Sequence, residues 1–234
     1  MVAPKDIYQL LLDKVPTFRT LEKVESQESG EPLVQLHETD ELYVINLGAE
    51  MRPYTNDHIF VRRTLRDKLL KAAQLIVSDY PDLMLQVHYG YRHPQIQRER
   101  YNQFMEKIKN DSSITDKPQY AHTFVAHPKV AGHPTGGAVD VTLISRHAKE
   151  PIEMGTELRE FCEHTLTFCP FISSKAWRNR QILRTAMIGA GFAPYDGEWW
   201  HYSYGDKEWA YFFNHPYALY GVLYHTDKDI HNDT

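Results

Sequence analysis

Apolar residues recur at Val61, Leu65, Leu69, Ala72, Leu75 and Ile76, steps of three and four that predict an amphipathic helix over residues 59–80, closed by Pro81. A shorter helix of the same kind is expected over residues 6–14. Residues 42–47, rich in β-branched and aromatic side chains, read as a strand, and residues 83–87 as a second, apolar one. That strand runs into Tyr89-Gly90-Tyr91-Arg92, and Pro94 suits the first turn of a helix reaching about residue 110, so Arg92 falls at a strand-to-helix junction. Residues 111–134 are polar, hold three prolines and read as a long loop. An apolar strand over 138–143, a helix over 174–190 ended by Gly191, and an aromatic-rich strand over 198–204 complete the pattern. The chain beyond His215 is expected to be peripheral.

No internal repeat or Gly/Ser linker divides the sequence, and 234 residues fit one domain, taken as 1–234. The content of 42% hydrophobic and 24% charged residues is that of a packed globular protein rather than a disordered one. With a formal net charge of −5 and no Lys/Arg block, nothing supplies the footprint that a phosphate backbone needs, so nucleic acid is not expected as a partner. The N-terminal stretch lacks an apolar run of signal-peptide length, and no run of about 18 apolar residues occurs, so neither export nor a membrane span is expected and the reading is cytoplasmic. Two cysteines, Cys162 and Cys169, are too few for a disulfide framework and read as buried thiols.

Two of the histidine-bearing segments carry chemistry. In the first, His133-Pro134-Thr135-Gly136-Gly137 leads into the apolar strand that bears Asp140, and the glycines allow the loop to fold its imidazole back towards that carboxylate. An aspartate between Val139 and Val141 needs a partner if it faces inward, and a cation supplies one. The second is Glu198-Trp199-Trp200-His201. His201 would complete a sphere of two histidines and one carboxylate, which leaves a fourth position for water as a catalytic zinc requires. Glu198, near the metal but not on it, would take a proton from that water and pass it to a leaving amine. Arg92 would stabilise the oxyanion of an attacked peptide carbonyl. Taken singly, a histidine is more often a hydrogen-bonded core or surface residue, and the weight lies in the combination. His88, His122, His127 and His147 lack a carboxylate at a telling offset and read as structural or loop residues.

The same residues resemble the D-alanyl-D-alanine dipeptidase family, the zinc peptidases that include the vancomycin-resistance dipeptidases. The resemblance is carried by Gly90-Tyr91-Arg92, by HPTGGAVDVTL from His133 to Leu143, by Met154-Gly155, and by NRQILRTAMIGAGFAPYDGEWWHY from Asn179 to Tyr202. It implies zinc on His133, Asp140 and His201, Glu198 as general acid/base, Arg92 at the tetrahedral intermediate, and a short peptide substrate of D-alanyl-D-alanine or peptidoglycan-stem type. It also implies an α+β fold in which a small, mainly antiparallel sheet is flanked by helices, as in D,D-peptidases and hedgehog-type domains.

Three positions depart from the family pattern. Arg159 stands where the family has an aspartate associated with the substrate's free amino end, with Glu157 and Glu160 as carboxylates that could replace it. Ala131 stands in place of a serine that helps to hold the dipeptide, and residues 51–60 follow the family's substrate-facing motif only loosely. Besides dipeptide hydrolysis, the sequence is compatible with a D,D-carboxypeptidase or peptidoglycan endopeptidase acting on longer peptides, and with a zinc-binding interaction module without turnover. The presence of both Glu198 and Arg92 speaks against the last.

Overall fold

The computed structural model describes residues 4–160 and 162–225. Two helices, α1 (Pro4–Leu12) and α2 (Phe18–Glu22), precede the short strands β1 (Leu33–Gln35) and β2 (Leu42–Val44). One helical turn, α3 (Arg52–Thr55), leads to β3 (Phe60–Arg62), the long helix α4 (Arg63–Asp79), β4 (Leu83–Tyr89) and α5 (Pro94–Ile108). Then come α6 (Lys117–His122), β5 (Ala138–Ser145), α7 (Ser174–Gly189), β6 (Ala193–Pro194), β7 (His201–Ser203) and α8 (Lys207–Phe212). Five strands form one sheet in the order β2-β4-β5-β7-β6, antiparallel except for the parallel β2–β4 pair, and β1 and β3 form a separate antiparallel ribbon. The architecture is α+β with a mainly antiparallel sheet, as the sequence implied.

Alternation along β5 divides the sheet into two chemically different faces. Val139, Val141 and Leu143 join Leu85 and Val87 of β4 and Tyr202 of β7 in the main core, against Leu65, Leu69 and Ile76 of α4 and Leu183 and Met187 of α7. The period of two turns Asp140 and Thr142 to the opposite face, and on β7 it does the same for His201 and Ser203 on either side of Tyr202. In the β5–β7 register Asp140 lies directly across from His201. Directly paired side chains on one face come within about 5 Å at Cβ, so this register alone makes the two a pair.

The structure corrects several sequence-based expectations. The stripe at 59–80 begins as strand β3, because Phe60 and Val61 pair with Gln35 and Val34, and the helix starts only at Arg63. Val61 satisfies both periodicities, which is why the helical pattern ran over it. The polar stretch 111–134 contains α6, whose N-cap Asp116 accepts from the backbone of Gln119 and whose Pro118 sits in the first turn, a start signal hidden among loop-like residues. The strand expected over 198–204 is confined to His201–Ser203, so Glu198 lies in the preceding turn. Beyond His215 the chain is not peripheral: Ala218 and Tyr220 are buried, and Tyr220 donates to Glu31 and packs under the Arg62 guanidinium. Of the two cysteines only Cys169 is buried, whereas Cys162 is exposed. Among the described residues no helix is long and apolar enough to cross a membrane.

Candidate metal centre

His133 stands in a single 3-10 turn, His133–Thr135, between α6 and β5. The turn ends at Gly136, whose φ of +72° is a left-handed conformation that side-chain-bearing residues rarely adopt. This reversal places the imidazole over β5, with His133 Nε2 3.3 Å from Asp140 Oδ1. The other ring nitrogen, Nδ1, lies 2.8 Å from the Gly90 carbonyl, and a hydrogen bond there fixes the ring and leaves Nε2 as the free ligand atom. Gly90 allows no side chain, since a Cβ there would fall 2.5 Å from the Phe60 carbonyl oxygen.

His201 presents Nδ1 to Asp140 Oδ1 at 3.1 Å from β7, and its ring crosses that of His133 edge to face with centroids 4.9 Å apart. One donor atom from each of His133, Asp140 and His201 lies within 4.8 Å of the other two, and all three residues are buried. Two imidazole nitrogens and one carboxylate oxygen converging on a point suit zinc. On its far side His201 turns Nε2 towards Glu208 of α8, at 3.4 Å from Oε2.

The electrostatics prepare the same atoms. Burial opposes the ionisation of Asp140, yet His133 and His201 hold its carboxyl well below the ordinary range, so it stays an anion. Burial pushes His133 down to about 4, outweighing the pull of Asp140, so it is neutral and able to ligate. His201 is buried too, but Asp140 and Glu208 on either side raise it well above the ordinary imidazole value, so it binds a cation of some kind at neutral pH, a proton or a metal.

Glu198 sits in the turn before β7, where its backbone N–H donates to Tyr195 and its carbonyl accepts from His201. Arg184 of α7 grips Asp196 with two bonds of 2.9 Å, and the Trp199 indole donates to Thr156 at 2.8 Å, so the turn is pinned on both sides. Burial pushes the Glu198 carboxyl up to about 7, near neutrality, as suits a group that both takes and gives a proton. Arg92, between β4 and α5, is buried and held by Gln97 Oε1 at 2.6 Å and the Tyr89 hydroxyl at 3.2 Å.

All five residues expected from the sequence, namely Arg92, His133, Asp140, Glu198 and His201, border one cavity of about 500 Å³. His122 and His127 pack with Phe18, His127 stacking on it at 4.0 Å, while His147 is exposed beside Asp82. His88 is buried beside the site and makes no hydrogen bond through either ring nitrogen among the described residues, and burial pushes it down to about 4. Glu157 and Glu160 remain exposed outside the cavity, whereas Arg159 borders it; Ala131 is buried outside its lining. Sequence reasoning missed Glu208 and Arg100. Glu208 lies seven residues beyond His201 in a short helix, a spacing that signals nothing until α8 folds back under β7.

A pocket on one face of a small sheet, holding a zinc-type donor set beside a half-buried glutamate, has the residue types that metallopeptidase chemistry uses. Residues 37–220 match the sequence profile of a family described as D-ala-D-ala dipeptidase, and the chain belongs to that family of zinc-dependent metallopeptidases. A D-alanyl-D-alanine dipeptidase of Synechocystis is 37% identical over 97 residues, 36% of this chain and 39% of that protein. One from Escherichia coli is 35% identical over 72 residues, 31% of this chain and 37% of the relative. Another from Enterococcus faecium is 28% identical over 168 residues, 68% and 80% of the two chains. The match thus spans well under half the length of the first two relatives. Among solved structures, a zinc complex of the vancomycin-resistance D,D-pentapeptidase VanY has a TM-score of 0.40 at 18% identity, covering 64% of this chain and 76% of its own. The LD-carboxypeptidase LdcB has a TM-score of 0.43 at 18% identity, covering 81% and 79%.

Proposed function

We propose that the chain is a zinc dipeptidase that hydrolyses short peptides of the D-alanyl-D-alanine type, with the metal on His133 Nε2, Asp140 Oδ1 and His201 Nδ1. The observation that carries the reading is the meeting in one cavity of this donor set with a half-buried glutamate whose pKa is raised to about 7. Zinc, when bound, supplies a Lewis acid that polarises a carbonyl and acidifies water. Glu198 receives the proton of the attacking water and delivers it to the departing amine. Arg92, locked by Gln97 and Tyr89, offers a fixed positive charge to the oxygen on which negative charge develops. Arg92, His133, Asp140 and His201 are buried, which strengthens their interactions because little water competes.

The test is release of D-alanine from D-alanyl-D-alanine by zinc-loaded protein, with and without chelator, beside Glu198→Gln. Chelator-sensitive hydrolysis, lost in Glu198→Gln with zinc retained, is the expected result. Hydrolysis of longer stem peptides alone would move the assignment to a carboxypeptidase or endopeptidase. Tight zinc binding with no hydrolysis of any peptide would leave an interaction module.

A further inference from the structure

The cavity wall is more cationic than the proposed chemistry needs. Besides Arg92 it contains Arg100, Lys107 and Arg159, against only two carboxylates, Asp140 and Glu198. Three guanidinium groups gather on Tyr89, their carbons 4.4 Å (Arg159), 4.6 Å (Arg92) and 5.8 Å (Arg100) from the ring centroid. Glu50 pairs with Arg100 and accepts from the Tyr89 hydroxyl, so its charge is already engaged. Asp140 is engaged by the two histidines and Glu198 by proton transfer.

Arg159 has no hydrogen-bonded carboxylate among the described residues. Its Nε stands 3.7 Å from Asp140 Oδ2, too far for a hydrogen bond, and Nη1 reaches the Leu47 carbonyl only at 3.4 Å. Nη2 is buried and makes no hydrogen bond among the described residues. The residue is held at φ +65°, a conformation unfavourable for a side-chain-bearing residue. Arg180, buried beneath this segment, donates to the carbonyls of Met154 and Leu166 and so braces the loop from both ends. A fork of donors with an unused N–H, kept beside a cavity in a strained backbone, matches a planar anion such as a carboxylate.

We propose that Arg159, supported by Arg100 and Lys107, is a specificity-determining residue that binds a substrate carboxylate additional to the C-terminal one, so that the preferred substrates are short acidic peptides. The inference rests on the peptidase reading of the same site. A neutral dipeptide would bring an ammonium group into a wall of four cations, whereas a peptide with a second carboxylate meets complementary charge.

Three dipeptides of one stereochemistry separate the possibilities: neutral with a free amine, N-acetylated, and one with an acidic side chain. With zinc-loaded protein the acidic peptide is expected to have a kcat/KM about tenfold or more above the neutral one, the gain lying mainly in KM. Arg159→Gln should erase that preference with zinc content unchanged. Arg159→Gly, which relieves the positive φ, should do the same and guards against a folding failure. An equal gain for the N-acetylated peptide would overturn the carboxylate subsite, since loss of the ammonium would then suffice. Preference for the neutral peptide, or loss of zinc from Arg159→Gln, would also overturn it, the latter assigning Arg159 to the support of Asp140. Calorimetric binding of the same peptides to zinc-loaded Glu198→Gln tests the subsite without turnover. Acidic-peptide binding that depends on Arg159, with no hydrolysis of any peptide by the parent protein, would refute the peptidase reading and leave this inference standing.

Discussion

His201 and Glu208 face one another at 3.4 Å, Nε2 to Oε2, on the side of the imidazole opposite Asp140. The counterpart at His133 is the Gly90 carbonyl at 2.8 Å from Nδ1, so each histidine of the proposed metal site has an oxygen behind it. Such partners fix the ring and raise its basicity, and losing one typically weakens metal binding 10- to 100-fold. Glu208→Gln should therefore lower zinc affinity by about tenfold or more in a competition titration with a chromophoric chelator, while Glu208→Asp loses less. Unchanged affinity in Glu208→Gln would make this contact incidental.

Zinc binding should also release a proton. Although burial opposes it, the carboxylates of Asp140 and Glu208 on either side keep His201 protonated at neutral pH, and a metal on Nδ1 must displace that charge. Calorimetric titrations at pH 7 in buffers of different ionisation enthalpy should show release of about one proton per zinc. His201→Gln should abolish both the release and tight binding.

Glu198 predicts a pH dependence of stability in chelator-treated protein. Burial raises its carboxyl from the ordinary 4.5 to about 7, so the folded chain holds this proton more tightly than the unfolded chain does. Stability is thus unaffected by Glu198 below about 4.5, falls as pH rises towards 7, and stays lower above it. Glu198→Gln removes the ionisation, and its advantage over the parent protein should grow across that window to an upper limit of about 3 kcal/mol. Asp206, which burial likewise pushes up to about 7, is present in both proteins and does not account for the difference. Thermal denaturation from pH 4 to pH 8 checks this, and parallel curves for the two proteins would contradict the raised carboxyl of Glu198.

Arg184 acts on Glu198 only through the turn. Its two 2.9 Å bonds to Asp196 tie residues 195–197 to α7. Arg184→Ala should reduce kcat, by up to about 100-fold if the carboxylate moves by about 1 Å, with zinc content retained. A fall confined to KM would show that the turn positions substrate instead.

Much of the site was legible because its ligands sit in local patterns. Asp140 between valines and His133 before two glycines announce a buried carboxylate and a reversing loop, and Glu198-Trp-Trp-His201 places acid and imidazole close together. The helices α5 and α7 were equally plain, one opened by Pro94 and the other ended near Gly191. What sequence could not convey depends on packing between distant segments. Helix α8 slides Glu208 behind His201, and the strained loop delivers Arg159, rather than Glu157 or Glu160, to the cavity. Tyr220 is buried because the chain returns to pair with Gln27 and Ser29, a contact nearly 200 residues away. No periodicity within a short window records such a return.

The central claim, that His133, Asp140 and His201 hold a zinc ion which Glu198 serves in peptide hydrolysis, is tested most directly by measuring zinc content and D-alanyl-D-alanine hydrolysis on the same preparations of parent protein, Glu198→Gln and His201→Gln. The account predicts one zinc and turnover in the parent, one zinc without turnover in Glu198→Gln, and neither in His201→Gln. Turnover retained by Glu198→Gln, or stoichiometric zinc retained by His201→Gln, would contradict it.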